Sequence, residues 1–197
     1  MTQIALFGTS ADPPTAAHQQ ILKWLSYHYD RVLVWASDNP FKTHQTPLEH
    51  RATMLRLLIS DLEPPRPNVV LDQALSSPRA LVTVQRSQQQ FPEANFTLVV
   101  GSDLISQLPT WYRVETLLQQ VKLLVVPRPG HPLAADALGG LRQMGGDVAI
   151  ADLTGLPVSS TAYREAGDTT GITPPVEAYI HREQLYACQD VSQESLR

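Results

Sequence analysis

Ile4-Ala5-Leu6-Phe7-Gly8-Thr9-Ser10-Ala11-Asp12-Pro13-Pro14-Thr15-Ala16-Ala17-His18 decides how the rest of the chain is read. A short apolar run, Ile4 to Phe7, stops at Gly8 and Thr9, passes Asp12-Pro13-Pro14 and enters a helical pattern near Thr15. The order is strand, tight loop, helix start. A glycine ending a buried strand permits close backbone approach, and a helix start aims free N–H groups and its positive dipole end at the same spot, so the loop suits a phosphate. Thr15 and His18, three residues apart, share a helix face and set a hydroxyl and an imidazole beside that phosphate. The same residues also fit an ordinary first crossover, with Pro13-Pro14 as helix-start punctuation and His18 solvated.

Working outward, short β-branched and apolar runs alternate with helix-period stretches. Strands are expected at 3–7, 31–36, 68–72, 96–100, 122–127 and 147–151. Helices are expected at 15–29, 47–60, 79–91, 114–120 and 134–144, with 159–166 and 176–188 completing the C-terminal end. Strands separated by helices imply parallel crossovers, hence an α/β fold: one three-layer α/β/α doubly wound parallel sheet, Rossmann-like, over residues 1–188. Ligands of such sheets bind beyond the carboxyl ends of the strands, where strand order reverses, and Gly8, Ser37, Gly101 and Pro127 all follow strand ends. Pro64-Pro65-Arg66-Pro67 reads as a stiff surface connection and 189–197 as a frayed tail.

Composition bounds the function. The 197 residues are 43% hydrophobic and 17% charged, a globular balance. A net charge of −4 argues against a general nucleic-acid or membrane-surface binder. The single cysteine, Cys188, excludes an internal disulfide and a cysteine-based zinc cluster and suits a reducing compartment. No basic-then-apolar leader precedes Ile4 and no apolar run approaches a membrane span, so a cytoplasmic location is expected. The six histidines, at 18, 28, 44, 50, 131 and 181, show no paired zinc spacing. The chain also lacks a G-x-G-x-x-G fingerprint, a P-loop and a G-x-S-x-G elbow, which leaves phosphate chemistry at the N-terminal loop.

A second signal is Val158-Ser159-Ser160-Thr161-Ala162-Tyr163-Arg164. Three hydroxyl residues at a helix start can cap it and donate to an anion, and Arg164, one turn on, can engage phosphate oxygens in a bidentate way. Taken alone, it equally fits a plain N-cap with a solvated arginine.

Together the two stretches resemble the nucleotidylyltransferase superfamily, whose N-terminal pattern is G-x-F-x-P-x-[HT]-x-G-H and whose C-terminal motif is I-S-S-T-x-x-R. The chain departs from the first at Ser10-Ala11 and at Ala17, where a glycine is usual, and a methyl at Ala17 is expected to narrow the space beside the nucleotide. Pro40-Phe41-Lys42-Thr43-His44, His50-Arg51-Ala52-Thr53-Met54-Leu55, Leu98-Val99-Val100-Gly101-Ser102-Asp103, Leu108-Pro109-Thr110-Trp111-Tyr112 and Pro127-Arg128-Pro129-Gly130 are similar to successive stretches of the nicotinate-nucleotide adenylyltransferases. Only the combination is specific. One segment departs: where that family has S-Y-T-x-D-T along its pyridine pocket, this chain has Pro78-Arg79-Ala80-Leu81-Val82-Thr83.

The resemblance implies an adenylyltransferase that moves AMP from ATP to nicotinate mononucleotide, giving deamido-NAD and pyrophosphate, with Mg2+ carried on the ATP phosphates and no protein metal ligand. It implies that Thr15 and His18 hold the α- and β-phosphates and that Lys42 and Arg164 neutralise the triphosphate, whose far end Ser159, Ser160 and Thr161 anchor. Phe7, Gly8, Thr9 and Ser10 would line the ATP site. Gly101 and Asp103 would meet the adenosine ribose. Trp111 would stack on the pyridine beside Tyr112, with Arg79 and Ala80 nearby. An arginine there suits a carboxylate better than an amide. Alternatives stay open: nicotinamide mononucleotide or another phosphorylated acceptor, a pantetheine-phosphate enzyme, or a non-catalytic nucleotide sensor of the same fold. The partners expected are ATP and a pyridine mononucleotide, not nucleic acid or membrane, and homo-oligomer formation is left open.

Overall fold

Six parallel strands form one sheet in the order β3-β2-β1-β4-β5-β6. They are β1 (Gln3–Thr9), β2 (Arg31–Ala36), β3 (Val69–Leu71), β4 (Asn95–Gly101), β5 (Lys122–Val126) and β6 (Asp147–Ile150). The computed structural model describes residues 1–38, 45–133 and 135–186. Between the strands run α1 (Ala16–His28), α2 (Leu48–Ser60), α3 (Ala80–Gln90), α4 (Val114–Leu118) and α5 (Ala135–Gln143), followed by α6 (Ser160–Ala166) and α7 (Pro174–Arg182).

Strand periodicity builds two cores. Side chains alternate across a strand, so Ala5 and Phe7 pack on one face with Leu22, Leu25, Leu55 and Val176, while Ile4 and Leu6 pack on the other with Val84, Leu117 and Leu141. Because both faces are covered, the inner strands are continuous apolar runs, which is why they stand out in the sequence. Strand order reverses between β1 and β4, paired in register from Gln3 opposite Asn95 to Leu6 opposite Leu98, and the crevice opens beyond their carboxyl ends.

Two expectations are corrected. β1 continues through Gly8 and Thr9, which pair with Trp35 and Ala36, because the ladder to β2 outlasts the apolar run. The last helix begins at Pro174 and ends at Arg182, not at 188. Gln184 and Tyr186 adopt positive φ (52° and 63°), which breaks the helix and turns the chain back toward the N-terminal loop. Residues 189–197, expected to fray, lie outside the described residues, as does Cys188.

Candidate active site

A cleft of about 700 Å³ lies at the strand-order reversal. The end of β1 lines it from Phe7 to Ala11, α1 contributes His18, β2 contributes Trp35, and β4 contributes Leu98 to Gly101. Arg79, Ala80, Asp103, Trp111, Tyr112, Arg128 and Ser160 also line it.

Gly8 is required for a reason the sequence did not disclose. A Cβ there would sit 2.6 Å from Cε2 and Cζ2 of Trp35, whose ring is buried on the neighbouring strand. The glycine therefore makes room for an indole as well as lining the cleft. Beyond it, Thr9 Oγ1 accepts from the Ala11 amide (3.4 Å), and Ala11 takes a left-handed conformation (φ 49°).

Thr15 is the N-cap of α1, and its backbone N–H donates to His18 Nδ1 at 3.0 Å. An amide can only donate, so Nδ1 is the accepting nitrogen and the neutral ring carries its proton on Nε2, a donor suited to a phosphate oxygen. Thr15 Oγ1 also lies 3.0 Å from Nδ1. Thr15 is fully buried and outside the cleft lining, so here it orients His18. Ala17 is also outside the lining.

The loop between β1 and α1 is held from outside by side chains distant in sequence. Arg51, 1% exposed, donates Nη1 to the Ser10 and Ser37 carbonyls (2.9 and 2.7 Å), Nε to the Thr46 carbonyl (2.7 Å) and Nη2 to Asp38 Oδ1 (2.9 Å). This explains the His50-Arg51-x-x-Met54-Leu55 stretch: Met54 and Leu55 are core, His50 pairs with the Tyr179 hydroxyl at 2.8 Å, and Arg51 ties together the ends of β1 and β2. Ser160 Oγ donates to the Pro13 carbonyl (2.7 Å) and Arg164 Nη1 to the Asp12 carbonyl (2.5 Å). Tyr186 donates its hydroxyl to Asp12 Oδ1 at 2.6 Å, and burial, then this bond, holds its phenol above the usual tyrosine range.

Across the cleft, Asp103 Oδ2 pairs with Arg128 Nη1 at 2.8 Å. Its other oxygen, Oδ1, is buried with no hydrogen-bond partner. The carboxylate folds over Gly101, where a Cβ would lie 2.3 Å from Oδ1 and 2.9 Å from Arg128 Cδ. Ser102 Oγ accepts from the Arg128 amide (2.9 Å) and donates to the His131 carbonyl (2.8 Å), fixing the turn that presents the arginine. Arg128 had no assigned role in the sequence; its signal was the Pro-Arg-Pro-Gly turn following a strand.

At the remaining end, the Arg79 guanidinium carbon sits 4.4 Å over the centre of the Tyr112 ring, a cation–π pair at the cleft mouth. Trp111 lines the cleft and packs against the α3–α4 side of the core. Thr83, the residue kept from the family's pyridine segment, is fully buried and donates to the Leu75 carbonyl at 2.8 Å, a structural bond.

Of the C-terminal hydroxyl cluster, Ser160 lines the cleft. Ser159 is the N-cap of α6, its Oγ accepting from the Ala162 amide (3.1 Å). Thr161 and Arg164 are not in the lining, and Arg164 Nη2 reaches Thr161 Oγ1 at 3.4 Å. Lys42 lies outside the described residues, with the rest of 39–44.

The cytidylyltransferase-like family matches residues 6–166. A probable nicotinate-nucleotide adenylyltransferase of Synechocystis is 44% identical over 201 residues, covering 93% of this chain and 98% of the relative. The chain belongs to the nicotinate-nucleotide adenylyltransferase family. The Bacillus subtilis nicotinate-nucleotide adenylyltransferase is 26% identical, covering 94% of this chain and 99% of its own length. Among solved structures, the Plasmodium falciparum nicotinic acid mononucleotide adenylyltransferase complexed with NaAD superposes with a TM-score of 0.81 at 19% identity, over 95% of this chain and 98% of that one. The same Plasmodium enzyme complexed with APC gives 0.78. This adenylyltransferase thus shares the fold and family expected from its motifs. No helix among its described residues is long and apolar enough to cross a membrane.

Proposed function

We propose that the cleft binds ATP along the β1–α1 loop and β4, and nicotinate mononucleotide toward Arg79 and Trp111, and joins them as deamido-NAD. The observation that carries this reading is Asp103 Oδ1, a buried carboxylate oxygen without a partner in a cleft shared with a helix-start loop. A ribose hydroxyl satisfies it; the paired Arg128 balances its charge.

A phosphate oxygen of the mononucleotide attacks the α-phosphorus of ATP in line. The new P–O bond forms as the bond to the bridging oxygen breaks, and pyrophosphate leaves. No covalent enzyme intermediate is needed, so the protein's contribution is alignment and stabilisation of shifting charge. His18 Nε2–H donates to the reacting phosphates, with Thr15 orienting the ring. Backbone groups of Gly8, Thr9 and Ser10 approach the triphosphate, Ser159, Ser160 and Thr161 anchor its far end, and Arg164 adds positive charge. Lys42 joins this set on the resemblance alone. Trp111 stacks on the pyridine beside Tyr112, and Arg79, with the Ala80 amide, meets its carboxylate.

Mg2+ would be carried by the ATP phosphate oxygens and water. Bound there it would offset charge on the leaving pyrophosphate. The substrates and the single cysteine suit a cytoplasmic enzyme.

The test is pyrophosphate release from ATP with nicotinate mononucleotide, its amide and phosphopantetheine as acceptors. The acid is expected to be preferred, and His18→Ala to lower kcat on the order of 100-fold with a smaller change in ATP affinity. Release with no acceptor leaves a nucleotide-binding protein without this chemistry; preference for the amide overturns the acceptor.

A further inference from the structure

We propose that Tyr186 is a positioning residue for adenylyl transfer, holding the phosphate loop in register through the Asp12 side chain. Asp12 is buried, 4% exposed, and sits inside the β1–α1 loop. Its Oδ1 accepts from the Tyr186 hydroxyl at 2.6 Å, Oδ2 from the Thr46 amide at 3.4 Å, and its carbonyl from Arg164 at 2.5 Å. Through its side chain and its carbonyl together, Asp12 therefore contacts three segments far from it in sequence, one of them 174 residues away.

Two independent features show that the C-terminal segment is built to deliver this phenol. Gln184 takes positive φ as the residue that closes α7, with the Leu185 amide donating to the Ile180 carbonyl at 3.1 Å, whereas Tyr186 takes positive φ two residues further on, beyond that cap. The Tyr186 ring also meets Tyr163 of α6 edge-on, with centroids 5.5 Å apart, so the phenol is fixed before it donates. Tyr163 precedes Arg164, which reaches the carbonyl of the same aspartate, so one short stretch of α6 supports both contacts on Asp12. Burial keeps the phenol neutral, as its donor role requires.

The consequence concerns the neighbouring loop. Ala11, adjacent to Asp12, is itself left-handed, and Thr15 and His18 follow within two turns of chain. Loss of the Asp12 bond lets the loop drift relative to His18 while the cleft lining from β2 and β4 stays in place. Small misplacements of aligned groups lower turnover far more than ground-state binding.

This inference rests on the reading of the loop as the phosphate site. The experiment compares wild type, Tyr186→Phe, Asp12→Ala and the double variant for kcat and for KM of ATP and nicotinate mononucleotide. Hydrogen exchange of the amides of Thr9, Ser10, Ala11, Asp12 and Thr15 is measured on the ligand-free proteins. Tyr186→Phe keeps the ring and its contact with Tyr163, so the fold is retained. The expected result is a kcat loss between about tenfold and a hundredfold with KM for ATP changed less than about threefold, faster exchange in the loop, and a double variant no slower than Asp12→Ala alone. Unchanged kcat and exchange in Tyr186→Phe, or losses that multiply in the double variant, overturn the proposal. If wild type makes no dinucleotide, the functional reading fails by itself, and the exchange data still decide whether Tyr186 holds the loop.

Discussion

Gly101→Ala isolates the nucleoside end of the cleft. The added Cβ would lie 2.3 Å from Asp103 Oδ1 and 2.9 Å from Arg128 Cδ, against an ordinary contact of about 3.4 Å or more. The backbone at Gly101 (φ −73°, ψ 152°) suits any residue, so the cost is not conformational strain. Relief requires the carboxylate to move by about 1 Å. That motion works against its 2.8 Å pair with Arg128, and it turns Oδ1 away from where a ribose hydroxyl would be met. Because Asp103 is partly exposed, the protein itself loses little stability. Loss of a hydrogen bond to a charged group costs about 1.5–3 kcal/mol, which raises KM for ATP from about tenfold to more than a hundredfold. Steady-state kinetics with ATP varied at saturating nicotinate mononucleotide measures it, alongside thermal unfolding. The midpoint is expected to stay within a few degrees. A variant with wild-type KM for ATP would refute the assignment of Asp103 to the ribose, since its carboxylate cannot keep both its place and the new methyl.

Gly8→Ala sets a methyl 2.6 Å from the buried Trp35 ring, which is not the end of a flexible chain, so stability is expected to fall by about 1–3 kcal/mol in denaturant titration; an unchanged midpoint would mean the indole has room to shift. Arg79→Ala is expected to cut the preference for acid over amide mononucleotide by at least about tenfold in kcat/KM, and equal losses for both acceptors would return the residue to its role over the Tyr112 ring. The alkaline limb of stability tests Tyr186: its folded pKa is raised, so above the ordinary tyrosine range near pH 10 the folded state holds the proton that the unfolded state releases, and stability falls as pH rises. Tyr186→Phe should flatten that limb in unfolding curves taken from about pH 9 to 11, and an identical slope would place the titration elsewhere.

The sheet was legible because it is parallel and covered on both faces. Buried strands such as Lys122–Val126 appear as unbroken apolar runs, and their helices show as longer periodic stretches. The lining of the candidate cleft was legible where a motif is contiguous, as at Gly8, Thr9, Ser10 and His18. What escaped was non-local. The pairing of Asp103 with Arg128 spans 25 residues, and the carbonyls bound by Arg51 lie on separate segments, so no local pattern encodes them. Arg51 was visible only as one letter of a stretch in which Ala52, Met54 and Leu55 are core. The end of α7 was missed because helical periodicity continues past Arg182, while the helix is closed by Gln184 at positive φ, with the Gln184 and Leu185 amides donating back to the His181 and Ile180 carbonyls. Gly8 was singled out for a reason that omitted Trp35, a neighbour supplied by strand pairing.

These non-local ties bear on how the site acquires its shape. The β1–α1 loop contains a left-handed alanine, and its own bonds include Thr9 Oγ1 to the Ala11 amide and the Thr15–His18 pair. The rest of its definition comes from Arg51 at Ser10, Ser160 at Pro13, and Arg164 and Tyr186 at Asp12. Each of these ordering contacts fixes a segment whose free conformations would otherwise oppose binding, so their cost is met during folding and not when two polyanionic substrates arrive. In-line transfer depends on such prior alignment, because a loop that ordered only on binding would draw on the interaction energy needed to hold the reacting phosphates together. The first loop of the chain therefore draws part of its definition from Arg164 and Tyr186, which lie 152 and 174 residues away from Asp12.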